Sequence, residues 1–263
     1  MKKTEEFYQG YSKKNELLKI LGETDYFFYE SNYSFYLHFK QNPNLGDMVV
    51  DFGGRLGKKT RMIKNVVVVE IDSEARGLMK KNNINCVKRI DSFPDNSIDT
   101  IYASHVLEHL EEPASYLKKF HKKLKKDGTL ILVLPQEPIL FEHKRIDPNG
   151  RIYCWRFKSI NTLLNNLNFE LHESYMLFIF FQPLLTKFFN FINYRKGYLI
   201  YLKLLSKLNS FYVFRLICFI FFIFFLPFLI IFPFIWPEII IYAKKNKINK
   251  SWEGNYENRN TWL

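Results

Sequence analysis

The sequence predicts an α/β fold built on a doubly wound sheet, and three observations carry that prediction. The first is the stretch from Val49 to Asp72. An apolar run ends at Asp51, a turn follows with Gly53, Gly54 and Gly57, and a second apolar run ends on Glu70. Strand, tight loop, strand and acid in that order open a nucleotide-type α/β site. The second is Val66 to Val69, a continuous β-branched run of the kind a parallel strand buried on both faces requires. The third is the alternation of strand-like and helix-like segments up to Pro135, in the order β-α-β-α-β-β-α-β.

Each element has its own local signal. Val49 to Asp51 begins the first strand, and Lys58 to Lys64 leaves room for a short helix before the second. Ser73 to Lys81 is helix-compatible, with Ser73 as N-cap, Glu74 in the first turn, and Asn82 and Asn83 as the stop. Cys86 to Ile90 reads as a third strand. Pro94, Asp95 and Asn96 form a turn, and Ile98 to Ala103 is the fourth strand. Pro113 to Lys126 is an amphipathic helix with Leu117, Phe120 and Leu124 on one face and lysines on the other. Asp127-Gly128 stops it, and Thr129 to Leu134 is the fifth strand, closed by Pro135. Residues 136–150 read as loop, Ser159 to Asn166 as helix and Phe169 to Tyr175 as a sixth strand. Glu238 to Ala243 reads as a further, mostly apolar strand.

The chain holds 263 residues, enough for one α/β domain with an elaboration. Its net charge of +12 and its 27 phenylalanines set the partner question. A basic surplus serves nucleic acid or anionic lipid, and the position of the apolar residues separates the two. The three cysteines, Cys86, Cys154 and Cys218, are far apart and have no metal spacing, which reads as buried free thiols in a reducing compartment. Met1 to Glu6 is charged with no apolar core behind it, so no secretory signal is expected at the start and the N-terminal part is expected in the cytoplasm.

The segment 1–45 is a polar and aromatic lead-in, with Asn15 to Leu21 compatible with a helical turn or two. Residues 46–175 and 237–246 form the α/β domain, 176–236 is a hydrophobic helical insert, and 247–263 is a polar tail. Within the insert Met176 to Ile192 and Leu216 to Trp236 are nearly uncharged, and Asn193 to Ser210 between them is basic. The second run has the roughly 20 residues a bilayer helix needs, but Pro227 and Pro233 break it. Basic residues beside apolar segments favour a membrane over nucleic acid.

The pattern resembles the class I S-adenosylmethionine-dependent methyltransferases, in the branch of small-molecule methyltransferases. Asp51, Gly53 and Gly57 fit the family's first motif, with Arg55 where the family keeps its middle glycine. Glu70 fits the acid that ends the second strand. The most specific match runs from Phe93 to Pro135, F-P-D-N-S-I-D-T-I-Y-A-S-H-V-L-E-H-L-E-E-P followed by K-K-L-K-K-D-G-T-L-I-L-V-L-P. The resemblance covers Val49 to Tyr175. It implies a Rossmann-like seven-stranded sheet whose last strand, Glu238 to Ala243, inserts antiparallel.

It also implies S-adenosylmethionine as cofactor, bound by Asp51, Gly53, Gly54, Arg55, Gly57, Glu70, Asp91 and His105. Glycines admit backbone N–H groups close to a ligand, and the helix N-terminus after the loop suits the methionine carboxylate. Glu70 suits the ribose hydroxyls, Asp91 the adenine amino group, and His105 the methionine side. An NAD site fits badly, because Gly53, Gly54 and Gly57 do not follow G-x-G-x-x-G. His105 is the candidate general base, with Glu108 and His143 in reserve, and His109 reads as structural. No metal is expected.

The expected activity is therefore methyl transfer to a lipid-linked or other hydrophobic small-molecule acceptor: a lipid-linked sugar, an isoprenoid or quinone-type molecule, or a lipid head group. The place is the cytoplasmic face of a membrane, with the insert in-plane or re-entrant. Two crossings would put the basic connector outside, against the positive-inside bias. Packing of the insert against its own domain or a second subunit is the alternative for that segment. The competing classes are a methyltransferase-like scaffold that has lost turnover, which Arg55 keeps open, and a nucleic-acid methyltransferase, for which no binding module is recognisable.

Overall fold

The computed structural model describes residues 33–39, 44–135, 151–178 and 237–246, with isolated positions at 200, 203–204, 207 and 220. Seven strands form one sheet in the order β3-β2-β1-β4-β5-β7-β6. They are β1 (Val49–Phe52), β2 (Val66–Val69), β3 (Cys86–Val87), β4 (Ile98–Ser104), β5 (Leu124–Pro135), β6 (Phe169–Phe178) and β7 (Pro237–Lys245). The first five run parallel, and β7 lies antiparallel to both β5 and β6. Among the described residues the helices are α1 (Ser73–Lys81), α2 (Pro113–Lys123) and α3 (Phe157–Asn166). This is the doubly wound sheet with an inserted antiparallel last strand that the sequence predicts.

Side-chain alternation assigns the two sheet faces. Ile101, Leu130, Leu132 and Ile241 face Leu117 and Phe120 of α2 and Ile160 and Leu164 of α3. Their sequence neighbours Tyr102, Ile131, Val133, Ile240 and Tyr242 face the opposite way and pack with Leu37 and Phe39. Residues 33–39, ending in a π-helical turn Phe35–Phe39, thus cover the second face. Burying Leu37 and Phe39 there is worth about 2 kcal/mol each. Tyr175 and Tyr242 lock the turn in place: the Tyr242 hydroxyl donates to the His38 carbonyl at 2.6 Å, and that of Tyr175 donates to the Leu37 carbonyl.

The structure corrects several local expectations. Lys58 to Lys64 forms consecutive turns and no helix. Its bonds are of the i to i+3 kind, such as Ile63 N–H to the Thr60 carbonyl at 2.8 Å. Its side chains are anchored outside the segment, Thr60 on Asp51 and Lys59 on Ser104, which competes with helix formation. The N-cap of α1 is Asp72, whose carboxylate accepts the Glu74 N–H at 2.9 Å, and Ser73 is already helical. The third strand is only Cys86–Val87, because a 3-10 turn takes over at Ile90–Ser92.

Helix α2 ends at Lys123, before the expected Asp127-Gly128 stop. Those two residues sit in a β-bulge of β5, where pairing jumps from Ile98↔Leu124 to Thr100↔Thr129 and Asp127 has φ 63°. Strand β6 reaches Phe178, so Met176 to Phe178 belong to the sheet and not to the insert. Cys86 is half-buried, as a free thiol packed by α1 would be, but Cys154 is exposed. Asn15 to Leu21, His143, Cys218, most of the insert and the tail lie outside the described residues.

Candidate active site

The site is set by where the chain reverses its direction of winding. Strand β1 pairs with β2 on one side and β4 on the other, so the loops leaving β1 and β4 diverge at their carboxyl ends. Such a switch point is where open α/β sheets hold ligands. Near the end of β1 lies Asp51, buried, whose carboxylate accepts the Thr60 hydroxyl at 2.7 Å. Gly54 presses on it: a Cβ at this position would lie 2.4 Å from the Asp51 carboxylate. Gly53 has φ 71°, and its Cβ would meet Val106 at 2.7 Å. Glycine here lets the two loops touch each other, so the spacing read from the sequence is first a packing requirement.

Arg55 sits in a backbone conformation that favours glycine. Its φ is 52°, in the left-handed region, and its side chain is exposed. From that conformation its N–H donates to Glu70 Oε2 at 2.9 Å, while the Asp72 N–H donates to Glu70 Oε1 at 2.9 Å. Glu70 is thus a buried carboxylate at the end of β2 held by one backbone donor on each oxygen. Burial raises its pKa, and the two N–H donors oppose the rise. A carboxylate has about four acceptor sites, so each oxygen retains capacity for one more hydrogen bond.

The loop after β4 starts at His105, which also sits at positive φ, 55°. Its N–H is tied to the Val133 carbonyl at 2.9 Å, and the 3-10 turn Leu107–His109 follows. The His105 ring is one-third exposed and lies between two carboxylates. Nε2 is 2.9 Å from Glu238 Oε1, and Nδ1 is 3.6 Å from Glu108 Oε1. Burial and the Lys59 ammonium disfavour the imidazolium, but Glu108 and Glu238 outweigh them and the pKa of His105 is raised.

Behind Glu238 lies His38 from the lead-in. Its Nε2 is 3.5 Å from Glu238 Oε2, its Nδ1 is 2.8 Å from the Tyr102 hydroxyl, and Tyr33 donates to Glu238 Oε2 at 3.4 Å. Burial lowers the pKa of His38 and raises that of Tyr102 well above 10, so Tyr102 stays a phenol and His38 a neutral imidazole. Burial would push Glu238 up, but its bonds to His105 and His38 hold it well below the usual carboxylate range.

The structure therefore puts Gly53, Gly54, Arg55 and Gly57 in the loop after β1, with Asp51 near the end of β1 and Glu70 after β2 bonded to that loop, and His105 with Glu108 in the loop after β4. His109 lies 3.8 Å from Glu108 and adds to that cluster. Asp91 is exposed on its 3-10 turn and pairs with Lys119 of α2 at 3.0 Å. The helix expected to offer its N-terminus after the glycine loop does not form. In its place Lys59 crosses to the second loop and donates to Ser104 Oγ at 2.8 Å. Sequence reasoning missed Glu238, His38 and Lys59 as site residues. Glu238 had a signal, as the sole carboxylate between Met176 and Ala243.

Comparison with known proteins agrees with this geometry. Residues 27–174 match the family model described as a methyltransferase domain. The fold is similar to that of an S-adenosylmethionine-dependent methyltransferase from Thermotoga maritima, with TM-score 0.53 and 16% identity over 68% of this chain and 87% of that one. It is also similar to the YcgJ protein of Bacillus subtilis, with TM-score 0.51 and 15% identity over 77% and 93%. A chain from the Haloferax volcanii complex of the Trm112 methyltransferase activator with a methyltransferase has TM-score 0.44 and 17% identity, and this chain spans 49% of itself and 64% of that one in the match. No curated protein matches the sequence. The two structures with TM-scores above 0.5 establish the fold, and the match of more than half the chain establishes the family. The chain belongs to the methyltransferase domain family.

Proposed function

We propose that this methyltransferase works at the cytoplasmic surface of a membrane on a hydrophobic or lipid-linked small molecule: a lipid-linked sugar, an isoprenoid or quinone-type molecule, or a lipid head group. The observation that carries the proposal is sheet register. Phe178, the last residue of β6, pairs with Pro237, the first of β7, and Glu238 pairs with Pro135 at the carboxyl end of β5. The segment 179–236 therefore leaves and returns side by side, at the same sheet edge that carries His105 and the glycine loop. Its composition is the most apolar of the chain, with lysines between apolar runs. That mixture suits the interface between acyl chains and anionic head groups. An even number of crossings or an in-plane hairpin satisfies the register, and the positive-inside bias favours the hairpin.

The residues at the switch point suit the cofactor. The spare acceptor capacity of Glu70 fits a pair of ribose hydroxyls. Lys59, at the mouth of both loops, takes the carboxylate-binding part that the sequence assigns to a helix N-terminus. Bound there, S-adenosylmethionine supplies an electrophilic methyl group. The protein's own task is to orient the acceptor and remove its proton. His105, part-exposed beside the loop, is the base, and Glu108 stabilises the imidazolium that results.

Two measurements test this reading. Calorimetric titration of the purified protein with S-adenosylmethionine gives saturable binding, and no heat of binding would sink the cofactor site. Labelled methyl groups then appear in the lipid-extractable fraction of membranes, with the acceptor identified by mass. Label confined to the aqueous fraction would overturn the membrane-borne acceptor.

A further inference from the structure

His105 is held by a residue from the far end of the chain, and that residue is held in turn by one from the beginning. The three lie in a row across the covered face of the sheet: His105 Nε2 to Glu238 Oε1 at 2.9 Å, and Glu238 Oε2 to His38 Nε2 at 3.5 Å. The row ends on the Tyr102 hydroxyl, 2.8 Å from His38 Nδ1. Tyr102 and His38 are buried, and Glu238 is 13% exposed. Buried polar groups are costly unless paired, and in this row the two close contacts, His105 Nε2–Glu238 and His38 Nδ1–Tyr102, are hydrogen bonds while His38 Nε2 has only the 3.5 Å electrostatic contact with Glu238. With the Tyr102 phenol as donor, His38 Nδ1 is the acceptor of their 2.8 Å hydrogen bond. His38 then carries its proton on Nε2, which meets Glu238 Oε2 at 3.5 Å as an electrostatic contact without a hydrogen bond, and the ionised Glu238 accepts from His105 Nε2 at 2.9 Å. His105 is left with Nδ1 as its unprotonated nitrogen.

We propose that Glu238 and His38 are positioning residues that fix the tautomer of His105, so that Nδ1 is the atom that takes the acceptor's proton. This rests on His105 being the base. As the acceptor forms its bond to the methyl group, the methyl–sulfur bond breaks and its electron pair stays on sulfur. The acceptor's proton passes to Nδ1, and the part-exposed ring later releases it to solvent. The charge that appears on the ring is met by Glu108 at 3.6 Å and Glu238 at 2.9 Å. The groups facing the ring from neighbouring elements are Lys59 of the glycine loop, Glu108 of its own turn, Glu238 of β7 and, through Glu238, His38 of the lead-in. Glu238 is the second residue after the apolar insert and His38 belongs to the N-terminal lead-in. The base is thus assembled from three separate regions of the chain and forms only once β7 and the lead-in have docked.

The test uses the full-length protein and its Glu238→Gln, Glu238→Asp and His105→Ala variants. Nitrogen-15 shifts give the tautomer and pKa of His105 and His38, and turnover is followed against pH. In the parent protein His105 is expected as the Nε2–H tautomer below full protonation, and His38 likewise. Glu238→Gln removes the charge and moves the pKa of His105, with the acid limb of the turnover profile, down by about one unit, the scale of one adjacent carboxylate. Glu238→Asp keeps the charge in the pocket but withdraws it from Nε2, and shifts both in the same direction by less. An Nδ1–H tautomer of His105, or unchanged His105 pKa and profile in both Glu238 variants, overturns the proposal while leaving the base intact. Full turnover by His105→Ala overturns the base itself.

Discussion

The backbone N–H of Arg55 donates to Glu70 at 2.9 Å from a left-handed conformation, φ 52°, that side-chain-bearing residues rarely hold. Arg55 thus stands in a backbone conformation that favours glycine. What the loop needs at this position is a donor aimed at Glu70, and arginine supplies it at a conformational cost of about 1–2 kcal/mol.

Arg55→Gly relieves that cost. Because the glycine loses more freedom on folding, the net gain is expected at about 1 kcal/mol or less, read by denaturant unfolding. Cofactor affinity should change by no more than about threefold, because the backbone donor remains. A loss of tenfold or more would mean that the guanidinium itself binds the cofactor.

Gly54→Ala places a Cβ 2.4 Å from the carboxylate of Asp51, which is buried and bonded to Thr60. That carboxylate cannot swing aside freely, so the cost is expected at about 1–3 kcal/mol. Thermal unfolding checks it. An unchanged midpoint would show that the Asp51–Thr60 bond is not what orders the loop.

Glu70→Gln keeps the shape and removes one acceptor. An amide nitrogen then faces the N–H of Arg55 or of Asp72, leaving a buried donor unpaired at about 1–3 kcal/mol. Affinity for S-adenosylmethionine should fall at least tenfold by calorimetry, because one hydroxyl partner is lost as well.

Lys59→Met removes the ammonium that bridges to Ser104 and lies near His105. Cofactor affinity is expected to drop about tenfold, the size of one lost charge-assisted hydrogen bond. The pKa of His105 should rise, since a repelling cation has gone. Both are measured on one sample, by calorimetry and by imidazole titration. A fall in the His105 pKa would contradict the placement of charge described above.

His105 also makes stability depend on pH. Glu108 and Glu238 raise its folded-state pKa above the ordinary 6.5. Its contribution to stability is therefore complete below that ordinary value and is lost as pH rises through the folded one. His105→Ala should cost more stability near about pH 6 than near about pH 8.5, by denaturant unfolding at each pH. Glu238 has the opposite sign. Its depressed pKa gives stability above its ordinary 4.5 that is lost as pH falls through the folded value.

The legible parts of this site were those that local chemistry dictates. Gly53, Gly54, Gly57 and Glu70 stand within one strand-loop-strand unit, so their spacing alone brings them together. His105 and Glu108 follow one strand end. The illegible parts were long-range. Glu238 meets His105 across 133 positions and His38 meets Tyr102 across 64. The missing helix at Lys58 to Lys64 was hidden for the same reason: Lys59 and Thr60 were judged by propensity, while Ser104 and Asp51 claimed their side chains.

By itself the sequence determined the order of strands and helices, the switch-point loop, the acid at Glu70 and the family, because each is a short pattern with its own physical cause. Tertiary structure alone decided which carboxylate holds His105. Inserting β7 antiparallel between β5 and β6 carries Glu238 to the carboxyl edge of the sheet, and the lead-in folding over the second face brings His38 behind it. No periodicity records such a meeting, because the contact is made by strand pairing and burial rather than by neighbours in the chain.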